Sequence, residues 1–310
     1  MKDLAERAIS GDDRAVARLI SHAENNDPSL HEAMGEIHRH SGKAQIIGVT
    51  GVMGAGKSTL ICELALEYRK RGRTVGIIAI DPTSPFTGGA LLGDRIRMGK
   101  LTTDPGIFIR SMGTRGMLGG LTGAVYDVME IMDASGKEVI IVETVGVGQA
   151  EVDIVRIADT TIVVLVPGLG DSVQTIKAGL MEIADIFVVN KSDTPGIERT
   201  VAEIESMIDL DTQKRKIPVM TTSARSGAGV PELADAIQRH FTDLQGDGIG
   251  SHRRMRYEAE LVEIIRRKLM SMIFDEKLFR SKVDSMMDRI ERKEMDPYSA
   301  AEAILKGLLK

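Results

Sequence analysis

The apolar positions of this chain change rhythm twice. Between about residues 44 and 240 they gather into seven short runs, at 45–50, 74–80, 107–110, 139–143, 160–166, 186–190 and 218–222. Several runs are apolar without strict alternation, as strands covered on both faces should be. Amphipathic stretches separate them. Strand–helix repetition at this spacing predicts an α/β fold with a doubly wound, mostly parallel sheet. Functional loops then belong at the carboxyl ends of the strands.

On either side the period lengthens to that of helices. Residues 1–42 carry Ala15, Val16, Leu19 and Ile20 on one face behind a capping Asp12 or Asp13, and Asp27-Pro28-Ser29 restarts the chain into a further helix. Leu244-Gln245-Gly246-Asp247-Gly248-Ile249-Gly250-Ser251 reads as a glycine-rich hinge. Beyond it Leu261, Ile264, Ile265, Leu269, Met272 and Ile273 mark one apolar face, and Leu278, Val283, Met286, Met287 and Ile290 another. Two or three helices of this length cannot close a core alone, so they should pack on the main domain or on another chain. The expected organisation is an N-terminal helical extension over 1–42, a central domain over 43–243, and a hinge with a C-terminal helical arm over 244–310.

Composition narrows the function. The 310 residues carry 45 acidic and 40 basic side chains, a formal charge of −5. An apolar share of 43% supplies ample core, which excludes wholesale disorder. Six Phe, four Tyr and no Trp leave little for base stacking, and the acidic balance gives no general attraction to phosphate backbones, so a nucleic-acid partner is not expected. The single Cys62 excludes a disulfide framework or a cysteine-cluster metal site within one chain. No apolar run approaches the roughly 20 residues needed to span a bilayer. The first seven residues are charged and lack the apolar core of a signal peptide, which predicts a cytoplasmic protein.

The run at 45–50 leads directly into Gly51-Val52-Met53-Gly54-Ala55-Gly56-Lys57-Ser58, followed by a helix-compatible stretch from Thr59 onward. This is G-x-x-x-x-G-K-S in its strand–loop–helix setting, the phosphate loop of a P-loop NTPase. Glycines let backbone N–H groups curl around phosphate oxygens while the following helix points its positive end at them. Lys57 supplies a mobile charge for the β- and γ-phosphates, and the Ser58 hydroxyl is a Mg²⁺ ligand candidate. Mg²⁺ keeps waters that carboxylates orient. Asp81 and Glu143, at the ends of two core runs, and Asp94, in the glycine-rich segment after Asp81, are the acids placed for that work.

The run at 186–190 ends in Asn190-Lys191-Ser192-Asp193. A carboxylate at Asp193 can accept from both guanine N1–H and its 2-amino group, and adenine offers neither donor in that arrangement. Asn190 can bond the base or bridge to the phosphate loop, and the Lys191 stem can cover the base plane. One strand later, backbone N–H groups at Thr222-Ser223-Ala224 are placed to reach guanine O6. Glu143-Thr144-Val145-Gly146-Val147-Gly148-Gln149 lies where GTPases sense the γ-phosphate: Gly146 can present an N–H to it, and Gln149 could position a water.

With these elements placed, the chain resembles the MeaB/ArgK family of P-loop GTPases, the G-protein chaperones of methylmalonyl-CoA mutase and related cobalamin-dependent acyl-CoA mutases. The resemblance rests most on Asp81-Pro82-Thr83-Ser84-Pro85-Phe86-Thr87-Gly88-Gly89-Ala90-Leu91-Leu92-Gly93-Asp94-Arg95 and on the segment from Glu143 to Gln149. It implies a P-loop G domain, GTP and GDP binding with Mg²⁺, slow intrinsic hydrolysis accelerated by a partner mutase, and a homodimer associated through the arm. It assigns the phosphate and metal roles to Lys57 and Ser58, metal-proximal roles to Asp81, Asp94 and Glu143, and guanine reading to Asn190, Lys191 and Asp193. Pro167-Gly168-Leu169-Gly170-Asp171 through Lys177 resembles a further switch, with Asp171 and Lys177 its charged positions. Some members were once described as transport kinases, but no residue here specifies a protein or amino-acid acceptor.

Two other classes use related machinery. A metallochaperone for a nickel or cobalt enzyme needs soft or imidazole ligands. His31, His38 and His40 are the sole cluster, and the first two are two helical turns apart, too far for direct co-ligation. A signal-sequence binder would use a methionine-rich groove. Six of the 17 Met follow residue 250, but at helical spacing among Leu and Ile, which favours packing. Arg110 and Arg115 could offer charge to a nucleotide or serve as a plain basic loop.

Overall fold

The computed structural model describes residues 1–81, 99, 101–113, 123–144, 153–168, 181–210, 217–274 and 277–308. Seven strands form one sheet: β1 Gln45–Gly51, β2 Val75–Asp81, β3 Ile107–Gly113, β4 Val139–Glu143, β5 Thr160–Leu165, β6 Ile186–Val189 and β7 Val219–Thr221. Their order is β3-β2-β4-β1-β5-β6-β7, and every described pair is parallel. All seven apolar runs of the sequence are strands, within a few residues at their ends. β1, β4 and β5 are buried along their whole length, the consequence of helices on both faces.

The helices in chain order are α1 Lys2–Ile9, α2 Asp13–Glu24, α3 Leu30–His40, α4 Lys57–Lys70, α5 Ala124–Ala134, the single turn α6 Met181–Ile183, α7 Ile197–Asp209, α8 Val230–Asp247, α9 Ile249–Phe274, α10 Lys277–Glu291 and α11 Pro297–Leu308. α4 and α8 cover one face of the sheet. Leu60, Ile61 and Leu64 of α4 and Leu233 and Ile237 of α8 join Ile47, Val49, Ile162 and Val164 in one apolar cluster. Each such side chain contributes about 1.5–3 kcal/mol on burial. Ile204 of α7 packs against Val163, Leu165, Phe187 and Val189 on the opposite face. Cys62 is partly buried against the α4 side, a small packing residue.

The N-terminal helices form as the capping pattern predicts. Asp12 caps α2 by accepting from the N–H groups of Arg14 (2.9 Å) and Ala15 (3.3 Å). α2 and α3 pack on α5. Arg110, on β3, pairs with Glu24 of α2 and donates to Ser21 Oγ at 3.3 Å, so its charge anchors the helical layer. Asp133 of α5 accepts from the N–H groups of Gly42 (2.6 Å) and Ala44 (3.1 Å), fixing the entry to β1. Burial pushes its carboxyl above the usual range, and these backbone donors pull the other way.

The chain divides into two compact units, Met1–Arg256 and Tyr257–Lys310. The stretch expected as a hinge is helical through Asp247 and again from Ile249, so the interruption is confined to Gly248. Within the second unit α10 and α11 pack together. Leu261, Val262, Ile265 and Leu269 on α9 are exposed. No described helix is long and apolar enough to cross a membrane.

Candidate active site

β1 carries the chain into the phosphate loop at the middle of the sheet. Gly51 has a φ of +134°, and a Cβ there would stand 2.1 Å from Val164 O on β5, so only glycine lets the strand end turn beside its neighbour. Gly56, at φ +85°, is the N-cap of α4; a Cβ on it would lie 2.7 Å from Asn190 Nδ2. A Cβ on Gly54 would meet nothing within 4 Å, leaving the tip of the cradle open. α4 begins with no side-chain cap and no acid in its first turn. Its positive dipole end therefore faces the loop with no carboxylate of its own first turn beside it, a setting that favours an anion. Ala55 is buried, Val52 half-buried and Met53 exposed.

Lys57 is buried, with Nζ donating to Gly51 O at 2.8 Å and Val52 O at 3.2 Å. The ammonium is folded over the loop's own carbonyls, within the ring of groups that would surround a phosphate. Thr59 lies exposed on the first turn of α4. Ser58 Oγ donates to Glu143 Oε1 at 2.7 Å across the end of β4. A hydroxyl and a carboxylate brought together beside an uncapped helix end are hard oxygen donors of the kind Mg²⁺ takes, with phosphate and water completing its shell. The donor set fits. Asp81 closes β2, on the side of β4 away from β1.

The base-reading residues stand at the ends of β6 and β7 and are tied to the phosphate loop. Asn190 is buried; its Nδ2 donates to Ala55 O at 2.8 Å, and its Oδ1 accepts from Thr222 Oγ1 at 3.2 Å and Ala224 N–H at 3.1 Å. One side chain thus pins three loops. Lys191 has a left-handed φ of +61°, which turns the chain so that its own side chain and that of Asp193 are exposed. Ser223 Oγ donates to Asp193 Oδ1 at 2.9 Å and holds that carboxyl below the usual carboxylate range.

The structure brings together Gly51, Lys57, Ser58, Glu143, Asn190, Ser223 and Ala224, with Asp193 joined through Ser223. Asp94, Gly146, Gln149, Asp171 and Lys177, like Arg115, lie outside the described residues. Asn190 takes the bridging option of its two sequence readings. The N–H groups expected to meet guanine O6 already have protein acceptors: Ser223 N–H donates to Ala228 O at 2.9 Å and Ala224 N–H to Asn190. Sequence reasoning missed that hydroxyls at Thr222 and Ser223 orient Asn190 and Asp193. The available signal was two adjacent hydroxyl residues immediately after a short strand. The histidines are dispersed: His38 meets Glu130 of α5 at 2.7 Å, and His31 and His40 bond backbone carbonyls of their own helical segment. Among the described residues no group of three or more His, Cys, Asp or Glu is placed to hold a metal.

A parallel α/β sheet with a phosphate loop at its centre and an Asn-Lys-x-Asp loop beside it defines a P-loop GTPase. Comparison with known proteins agrees and narrows the class. The family model of the methylmalonyl Co-A mutase-associated GTPase MeaB matches residues 16–277. The chain belongs to this family, and it is a guanine-nucleotide-binding GTPase. A Pyrococcus abyssi protein is 50% identical over 313 residues, covering 99% of this chain and 96% of the relative. GTPase ArgK of Escherichia coli is 37% identical over 254 residues, 78% of this chain and 76% of ArgK. The mouse methylmalonic aciduria type A homolog is 31% identical over 268 residues, 84% of this chain and 65% of that protein. The solved structure of a LAO/AO transport system kinase shares the fold, with a TM-score of 0.71 at 24% identity, covering 99% of this chain and 97% of that one.

Proposed function

We propose that this GTPase acts as a cytoplasmic G-protein chaperone for a cobalamin-dependent acyl-CoA mutase, methylmalonyl-CoA mutase or a relative, assisting cofactor loading or protection. The match to a family described as methylmalonyl Co-A mutase-associated is the observation that supports the partner class. The phosphate loop tied through Asn190 to the base loop supports the nucleotide chemistry.

In this reading GTP lies across the carboxyl edge of the sheet, its phosphates on the loop from Gly51 to Ser58 and its base against Asp193. Lys57 leaves the loop carbonyls for the phosphate oxygens, where its charge and the N–H groups of α4 meet negative charge developing during in-line attack by water. Bound Mg²⁺ supplies further neutralisation, held by Ser58 with Glu143, Asp81 and Asp94 as its surrounding acids. Loss of the γ-phosphate releases the segments around Asp94, Gly146 and Asp171–Lys177, and the mutase reads that change. No strong general base is among the described site residues, and a loose transition state asks for little, so turnover without the partner is slow. The exposed apolar positions Leu261, Val262, Ile265 and Leu269 support association of two copies as a homodimer.

The test is retention of a large subunit from a lysate in the presence of a non-hydrolysable GTP analogue, followed by hydrolysis assays with the purified candidate. A cobalamin mutase that is retained and accelerates hydrolysis supports the proposal. A nickel enzyme in its place refutes the mutase partner and favours a metallochaperone GTPase, and a mutase that leaves the rate untouched refutes the chaperone role; either outcome spares the GTPase.

A further inference from the structure

We propose that Thr50 and Thr144 form a buried hydroxyl pair that positions Glu143 toward Ser58, an inference resting on the nucleotide and metal reading above. Thr50 is the penultimate residue of β1 and Thr144 directly follows β4; both are fully buried. Thr144 Oγ1 donates to Thr50 Oγ1 at 2.9 Å, and Thr144 N–H donates to Val49 O at 3.1 Å, carrying the ladder one residue beyond the end of β4.

Strand alternation gives the pair its consequence. Val49 is in register with Glu143, so these two share the face covered by α4, where Ser58 meets the carboxylate. Thr50 and Thr144 share the opposite face. A slip of one residue at this point would turn Glu143 away from α4 altogether. The bond to Ser58 thus holds the Glu143 side chain on one face, while the hydroxyl pair fixes the following residue of the backbone from the other. Valine would fill the same volume, as it does nearby at Val49, Val142, Val163 and Val164. Hydroxyls in so apolar a sheet cost desolvation that only their mutual bond offsets. Threonine's restricted χ1 aims that bond. Thr50 and Thr144 are positioning residues: they act on the metal-proximal carboxylate and touch neither nucleotide nor metal.

The experiment uses the full chain with Thr144→Val, Thr50→Val, the double variant and Thr144→Ser. Affinity for a fluorescent GDP is measured with and without Mg²⁺, alongside the Tm of each variant. Losing one hydrogen bond's worth of alignment should cut the Mg²⁺-dependent gain in affinity by about tenfold in Thr144→Val. The metal-free affinity should change less than about twofold. Thr144→Ser should restore the gain, and the double variant should be no worse than Thr144→Val, as coupled residues behave. If the Mg²⁺-dependent gain survives while Tm falls, the pair is structural only and the proposal is overturned. Should Thr144→Val not fold, Thr50→Val is judged by the same criterion. A wild-type protein with no Mg²⁺-dependent gain would instead refute the metal reading itself.

Discussion

Replacing Asn190 with alanine tests whether one buried side chain holds the phosphate loop and the base loop together. The side chain is buried and makes three hydrogen bonds: to Ala55 O in the phosphate loop, from Thr222 Oγ1 and from Ala224 N–H. Truncation leaves a buried carbonyl, a buried hydroxyl and a buried N–H facing a small void. Each orphaned group costs about 1–3 kcal/mol, less where water enters. Taking the low end for all three gives a loss of about 3 kcal/mol. In a unit of this size one kcal/mol lowers Tm by about 2–4 °C, so a fall of about 6–12 °C is expected without nucleotide. Thermal unfolding of nucleotide-free protein followed by circular dichroism measures it. GTP affinity should fall as well, because the phosphate loop and the base loop lose their shared tether. A nucleotide-free Tm within about 1 °C of wild type would show that the tether does not join these loops, and the geometric argument for a composite site would fail.

Asp193→Asn, by contrast, alters an exposed side chain and should leave Tm unchanged while weakening GTP and admitting xanthosine nucleotides, whose 2-carbonyl accepts from the new amide; competition binding decides, and unchanged GTP preference would misplace the base pocket. Because the Ser223 hydroxyl lowers the Asp193 pKa, the carboxylate stays ionised as pH falls through the ordinary carboxylate range, so GDP affinity should hold across that range and be lost only below it. In Ser223→Ala the acid limb should move upward, and superimposable pH profiles would contradict the assigned bond. Arg110→Met should cost about 1–3 kcal/mol in denaturant unfolding by removing the charge-assisted bonds from β3 to Glu24 and Ser21 of α2, with GTP hydrolysis unchanged. A hydrolysis defect at unchanged stability would return Arg110 to the functional site.

Much of the fold was legible because buried parallel strands advertise themselves. The largely apolar runs ending at Thr50, Glu143 and Val166 are shorter than ordinary helices and too continuous for one-sided strands, and the motifs at their ends then fall on one edge of the sheet. Local chemistry was equally readable where it depends on neighbours in sequence, as in the left-handed glycines of the phosphate loop or the Asp12 cap. Arg110 was ambiguous for the opposite reason: its partner, Glu24, lies 86 positions away. Sequence spacing carries no record of such a pairing.

The sequence by itself determined which segments would be strands, and it singled out the loop proposed for phosphate and the carboxylate proposed for guanine, because each follows from backbone preferences and side-chain chemistry within a few residues. Only the tertiary structure decided that Asn190 grips Ala55, that Ser58 meets Glu143, and that two threonines far apart in the chain face one another behind that carboxylate. Those contacts come from parallel strands arriving side by side in the order β4-β1-β5-β6. The ladder then sets which side chains share a face, and a buried polar atom must take its partner from whatever that register brings within reach.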